Sequence, residues 1–344
     1  MRSKELIPPE MYSLCEDFDK LMLYSATKQT WSKHCSAWKL FNDFCNEFGI
    51  INSLPINVKI ARAFVTWAIT RKKLKPSTVK SYISSLNIAH TISNKSNVNL
   101  NSDSCIKMLL KGAVNVAGSS SHPTADRLPM NPHLLDVLAH RVSELDWSDF
   151  SKQVFWTACV VSFFTSCRMG EILPSDEKGY DPDTTLLWKN VKLLTEKDIL
   201  LFVPYSKTTG FKGKLLDIYP LPDDDRCPSA AIVRLKKLAE KKGVWDPLSP
   251  VFAFSSGKNL TIATLNKVLS SLLGDFCDPY HKITGHSFRA GIPTIVASHP
   301  DQSKVSELMD WGSWESCSYK SYTKSDRDKR KVLFRKIVTF MDME

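Results

Sequence analysis

The sequence predicts a mainly α-helical chain with one small antiparallel β-sheet, arranged as a helical N-terminal domain followed by a larger mixed α/β domain. Three observations lead there. The chain has 344 residues, more than one core usually supports, since single cores stop growing near about 250–300 residues. Apolar residues recur at helical spacing along most of its length. Between residues 185 and 221 that period gives way to short apolar runs bounded by turn residues, the pattern of strands. The hydrophobic share of 43% is that of a folded globular protein.

From Pro8 to Gly118 the chain reads as helices with short breaks. Trp31, Trp38, Leu40, Phe41, Phe44 and Phe48 follow a polar start at Ser25 to Thr30, and Gly49 closes the run. Pro55 opens a second helix through Ala61, Phe64, Val65 and Ala68. Pro76-Ser77-Thr78 opens a third through Val79, Tyr82, Ile83, Leu86 and Ile88, and a fourth runs from Ser104 to about Val116. Stripes of this kind belong on a buried face, so these aromatics are read as core and not as base-stacking platforms. Gly118-Ser119-Ser120-Ser121-His122-Pro123 is the best linker in the chain. It sets the domains at 1–120 and 121–344.

In the second domain Asn131-Pro132 starts a helix, and Phe155 to Thr165 forms a buried helix whose end delivers Arg168 to a surface. Strands are expected at Leu186 to Trp188, Val191 to Leu194, Ile199 to Val203 and Leu215 to Leu221, with a lysine-rich hairpin loop from Ser206 to Lys214. Helices return at about 228–242, 260–274, 286–299, 302–311 and 314–323, ahead of a basic segment from Arg327 to Met341.

The formal charge is +10 and unevenly spread. Residues 1–127 hold 17 Lys and Arg against 9 Asp and Glu, a net +8. Residues 51–100 contain Lys59, Arg62, Arg71, Lys72, Lys73, Lys75, Lys80 and Lys95 and no acid at all. A stretch like that attracts a polyanion by counterion release. No apolar run is long enough for a membrane span, and no signal peptide or lipidation motif is present. Nucleic acid is therefore the expected partner. Nine scattered cysteines without a C-x-x-C suggest neither a disulfide framework nor a zinc site. They fit small buried hydrophobes in a reducing intracellular compartment, the nucleus if the host is a eukaryote.

Two strings carry the chemistry. The first is Thr165-Ser166-Cys167-Arg168-Met169-Gly170-Glu171-Ile172-Leu173, and the second is His286-Ser287-Phe288-Arg289-Ala290-Gly291, followed further on by Tyr322-Thr323. Arginine forks match the non-bridging oxygens of a phosphate, histidine adds a donor or proton carrier, and a phenol beside them can attack phosphorus. Phosphodiester transfer through a tyrosine needs that set.

The order and wording of these strings resemble the tyrosine recombinase (phage-integrase-like) family, whose first box reads T-G-x-R-x-x-E followed by Ile or Leu, and whose second reads H-x-x-R ahead of a tyrosine. The resemblance covers the part from about Arg127 to the C-terminus closely, and the first hundred-odd residues only in size, helicity and charge. It implies a helical core-binding domain and a catalytic domain that together clamp duplex DNA. It also implies strand cleavage and rejoining through a 3′-phosphotyrosyl link, with no metal or other cofactor, in dimers on DNA that assemble into tetramers. Recombination, integration or transposition of a mobile element is the implied role.

Residue by residue, the resemblance makes Arg168 and Arg289 the phosphate clamp, His286 a donor or proton acceptor, and Glu171 the residue that orients Arg168 or His286. Lys207 in Ser-Lys-Thr is the general acid, with Lys212 and Lys214 as rivals. Tyr322 is the nucleophile, because Gly312 precedes it at the family's offset, and Tyr319 is read as packing. Ser313 stands where the family has His or Trp. Gly-Ser-Trp-Glu-Ser looks like the arrangement in eukaryotic transposon recombinases of the Crypton and DIRS type, which makes Trp314 a candidate sixth residue. Phe288, Ala290-Gly291 and Pro293 are further departures. Arg71, Lys72, Lys73, Lys75, Lys80, Lys212 and Lys214 are the expected DNA contacts, and the segment after Lys324 is the expected docking arm between protomers. The rival functions are a type IB topoisomerase-like or resolvase enzyme, which would share the chemistry without synapsis, and a domesticated DNA-binding protein that has lost cleavage.

Overall fold

The computed structural model describes residues 11–51, 54–93, 99–120, 125–195, 198–206, 209–221, 224–298, 334–335 and 338–339. Its internal contacts divide the chain into two units, Met1–Pro123 and Thr124–Glu344.

Unit 1 is helical: α1 (Tyr12–Tyr24), α2 (Lys28–Glu47), α3 (Val58–Thr70), α4 (Pro76–Ser93) and α5 (Ser104–Ser120). Helix α2 starts where the Thr27 hydroxyl accepts the Thr30 amide at 3.2 Å, and α3 where the Asn57 side chain accepts the Lys59 amide at 2.8 Å. Both satisfy amides that a first turn leaves without partners. The aromatic stripe of α2 is core, as expected. Phe41 meets Phe64 edge to face at 5.3 Å, and Phe44 lies 5.4 Å from Trp67. Val79, Ile83 and Leu86 of α4 close the same cluster. Helix α1 precedes this bundle and leaves Leu14, Phe18 and Leu21 exposed. The predicted linker begins too early, because α5 continues through Gly118 to Ser120.

Unit 2 is built on α7 (Asp149–Thr165), buried along almost its whole length. It packs against α9 (Pro228–Lys241) and α11 (Gly285–Ser298). Inside this contact Gln153 and Thr157 both donate to the Ala231 carbonyl at 3.2 Å, satisfying polar groups that burial would otherwise penalise. Gly291 lets α11 approach closely, since a Cβ there would stand 2.5 Å from both the Met130 carbonyl and the Phe163 ring. The helices α6 (Pro132–Ser143), α8 (Met169–Ile172) and α10 (Ile262–Leu273) complete the unit's helical part.

The sheet is three-stranded and antiparallel, β2 (Val191–Leu193), β3 (Ile199–Val203) and β4 (Lys214–Ile218), in sequential order. In β3 Ile199, Leu201 and Val203 face the core while Phe202 faces out, the period-2 pattern of a half-buried strand. The expected strand at Leu186 to Trp188 is reduced to a single antiparallel bridge between Leu187 and Pro250. The Asn190 side chain accepts the Leu187 amide at 2.9 Å and closes a 3₁₀ turn at Trp188–Asn190. Those residues are apolar because they plug the core. A second, two-residue ladder was not foreseen: β1 (Asp126–Arg127) pairs in parallel with β5 (His281–Lys282), Arg127 opposite Lys282.

Phe334, within the segment after Lys324 that was expected to dock between protomers, is buried against Phe164 and Tyr219 of its own unit. The expected helices at 302–311 and 314–323 lie outside the described residues. Among those described, no helix is long and apolar enough to cross a membrane.

Candidate functional site

Helix α7 ends at Ser166, which takes a left-handed conformation (φ 48°, ψ 24°) and reverses the chain. The reversal sets Arg168 as the residue that enters α8. Glu171, one turn on, folds back: its Oε2 accepts the Arg168 amide at 3.2 Å and its Oε1 accepts Arg168 Nη1 at 2.9 Å. Lys214, at the start of β4, reaches the same Oε2 at 2.7 Å. Glu171 is 5% exposed and the Lys214 side chain 11%. Burial, the largest single influence, opposes the charge on Glu171. The Lys214 ammonium and the hydrogen bonds from Lys214 and Arg168 outweigh it and hold the carboxyl below its usual range.

Helix α11 is fixed at its start from three sides. Asn266 of α10 accepts the Gly285 amide at 2.8 Å, Thr284 Oγ1 accepts the His286 amide at 3.3 Å, and the Ser287 carbonyl accepts the Met130 amide at 3.0 Å. His286 therefore projects from an anchored first turn. Arg289, one turn later and half-buried, donates from Nη1 to the Ser166 carbonyl at 2.8 Å. The left-handed turn at Ser166 thus serves both arginines: it turns the chain toward Arg168 and presents a carbonyl to Arg289.

Arg168, Glu171 and His286 line one cleft of about 540 Å³, together with Arg127, Met169, Gly170, Tyr205, Ile262, Asn266, Lys282, Thr284 and Gly285. Partial burial, then the guanidiniums of Arg127, Arg289 and Arg168, depress the basicity of His286. Burial and Arg168 lower that of Arg289, which nonetheless remains a cation. The cleft thus presents several cations and an imidazole of lowered basicity beside a carboxylate already committed to Arg168 and Lys214, a setting electrostatically suited to an anion. Among the described residues no group of three or more His, Cys, Asp or Glu comes together as metal ligands. His281 pairs with Asp278 at 2.7 Å.

Sequence reading gathered Arg168, Glu171, His286 and Arg289 into one site; the first, second and third of these line the cleft, and Arg289 is tied to the Ser166 carbonyl beside it. It missed Arg127, Lys282, Tyr205, Asn266 and Thr284, which carry no local motif. Lys214, expected on the DNA surface, turns inward to Glu171, whereas Lys212 is exposed. Lys207, Tyr319, Ser313, Trp314 and Tyr322 lie outside the described residues. Arg71 pairs with Glu47 at 2.9 Å and Lys72 lies over the Trp67 ring at 4.8 Å, while Lys73, Lys75 and Lys80 are exposed.

No protein-family model matches the chain, and no curated protein matches it in sequence. Solved structures do match in three dimensions. The XerH site-specific recombinase bound to palindromic difH substrate, in a post-cleavage complex, aligns with a TM-score of 0.50 at 14% identity, over 91% of this chain and 78% of that one. A lambda integrase(75-356) dimer bound to a COC' core site aligns with a TM-score of 0.51 at 12% identity, over 92% of this chain and 99% of that one. The fold is that of the tyrosine recombinases. At such identities the likeness is one of architecture: the tyrosine recombinase fold accounts for the mainly helical chain and its small three-stranded sheet.

Proposed function

We propose that this protein cleaves and rejoins DNA strands through a 3′-phosphotyrosyl intermediate, in site-specific recombination or transposition of a mobile element. The observation that carries the reading is the convergence of Arg168 and His286 on one cleft, with Arg289 tied to the turn that precedes Arg168. Sequence-distant cations brought beside a histidine of depressed basicity suit a phosphodiester.

In this mechanism Arg168 and Arg289 hold the non-bridging oxygens of the scissile phosphate and offset the charge that grows on them. The Tyr322 oxygen bonds to phosphorus as the bond to the 5′-oxygen breaks. His286, neutral, accepts the phenolic proton, and Lys207 gives a proton to the leaving 5′-oxygen. An incoming 5′-hydroxyl reverses the step. The phosphodiester energy is kept in the tyrosyl link, so no ATP is consumed. Glu171 keeps Arg168 in place, and Trp314 is the candidate sixth residue. The basic face of unit 1 holds the duplex, and dimers on DNA, to which the DNA-bound dimer of lambda integrase lends support, pair into tetramers.

The role of Lys207 gives a chemical test. Lys207→Ala lowers cleavage of an ordinary phosphodiester by about 10² to 10⁴. A substrate with sulfur as the bridging 5′ atom leaves as a thiolate and scarcely needs a proton, so the variant cleaves it nearly as fast as wild type. Arg289→Ala is impaired on both. Equal impairment of Lys207→Ala on the two substrates contradicts the assignment and turns attention to Lys212 and Lys214.

A further inference from the structure

The cleft holds more positive charge than one phosphodiester needs. Arg127 and Lys282 line it beside Arg168 and His286, and their backbones are paired directly across the β1–β5 ladder. The ladder continues with the Leu128 amide donating to the Lys282 carbonyl at 3.0 Å, so the two residues are held in fixed register. Neighbouring strands lie about 4.8 Å apart. Like charges set opposite each other at that spacing destabilise a ladder, and neither side chain makes an ion pair among the described residues. Among the described residues Glu171 is the one carboxylate lining the cleft, and it is already held by Arg168 and Lys214. Arg127 also stands near enough to His286 to depress its basicity, ahead of Arg289 and Arg168. Both side chains are exposed, so an anion bound between Arg127 and Lys282 would meet two cations that no carboxylate neutralises among the described residues.

We infer that Arg127 and Lys282 form a second anion site in the cleft, one that takes the phosphodiester adjoining the phosphate held by Arg168, Arg289 and His286. The inference rests on the nucleic-acid reading of this cleft. A volume of about 540 Å³ accommodates more than a single phosphodiester. Two consecutive phosphates then fix the strand's register along the cleft, so the site positions the backbone and reads no bases.

The test compares two short probes that carry no target sequence, the thymidine dinucleotide with one phosphodiester and the thymidine trinucleotide with two. Binding is followed at the His286 imidazole by NMR, a readout confined to the cleft and blind to the basic face of unit 1. Wild type is expected to bind the trinucleotide about tenfold more tightly, the scale of one charge-assisted hydrogen bond. The Arg127→Ala/Lys282→Ala variant loses that preference and keeps its affinity for the dinucleotide, whereas Arg127→Lys retains most of it. Thermal unfolding confirms that each variant is folded. A preference that survives in the double variant, an equal loss on both probes, or no response at His286 in wild type overturns the inference. A trinucleotide preference without covalent capture of DNA would uphold the anion site and contradict only the strand-transfer reading.

Discussion

Lys214 and Glu171 form a nearly buried ion pair at 2.7 Å, joining the sheet to the short helix that Arg168 enters. Glu171 gives its other oxygen to Arg168, so one carboxylate fixes a lysine from β4 and an arginine from the end of α7. The arginine is thereby held before any ligand arrives, which is what preorganised charge stabilisation requires.

Glu171→Gln is expected to cost on the order of 1–3 kcal/mol at pH 7, because it leaves a nearly buried ammonium without its counter-charge. The pH dependence has a definite sign. The carboxyl's folded pKa lies below its ordinary value of 4.5, so its stabilisation is present above that value and is lost as pH falls through the folded pKa. Urea unfolding as a function of pH should show the gap between wild type and variant closing below about pH 4.5. A constant gap contradicts a charged pair.

Ser166 is a non-glycine residue in left-handed geometry whose hydroxyl is buried and unpartnered among the described residues. Ser166→Gly removes both penalties while leaving the carbonyl that Arg289 uses. A gain of about 1 kcal/mol in urea unfolding is expected, partly offset by the freer unfolded chain. A loss of stability would mean that the hydroxyl has a role in the fold.

The acid-free stretch of unit 1 is partly neutralised in space, since Arg71 meets Glu47 from outside it. Replacing Lys72, Lys73 and Lys75 together by Gln should lower the log-log salt slope of duplex binding by about 2.7, or about 0.9 for each lost phosphate contact. Arg71→Gln alone changes it little. An unchanged slope in the triple variant would show that this face meets solvent and not DNA.

Helices such as α2 and α7 were legible because their apolar stripes are long and periodic, whereas α1 and the four-residue α8 were not singled out. Strand β3 was legible from its alternation. Leu186 to Trp188 was misread because a short apolar run looks alike in a strand and in a core-plugging turn. Arg168, Glu171, His286 and Arg289 could be gathered because they sit in short, ordered strings. Arg127 and Lys282 could not, since a parallel pairing of two-residue strands far apart in the chain leaves no local pattern. The inward turn of Lys214 was equally hidden, because nothing in a lysine-rich hairpin says which ammonium meets a carboxylate.

Covalent capture tests the central claim most directly. The protein is incubated with duplexes randomised around a nick placed so that the released 5′ fragment diffuses away, and trapped complexes are resolved by denaturing electrophoresis and peptide mapping. The account predicts a DNA adduct on Tyr322, joined to a 3′-phosphate, that is abolished by Tyr322→Phe while duplex binding persists. An adduct on Tyr319, or none in the wild-type protein, would contradict it.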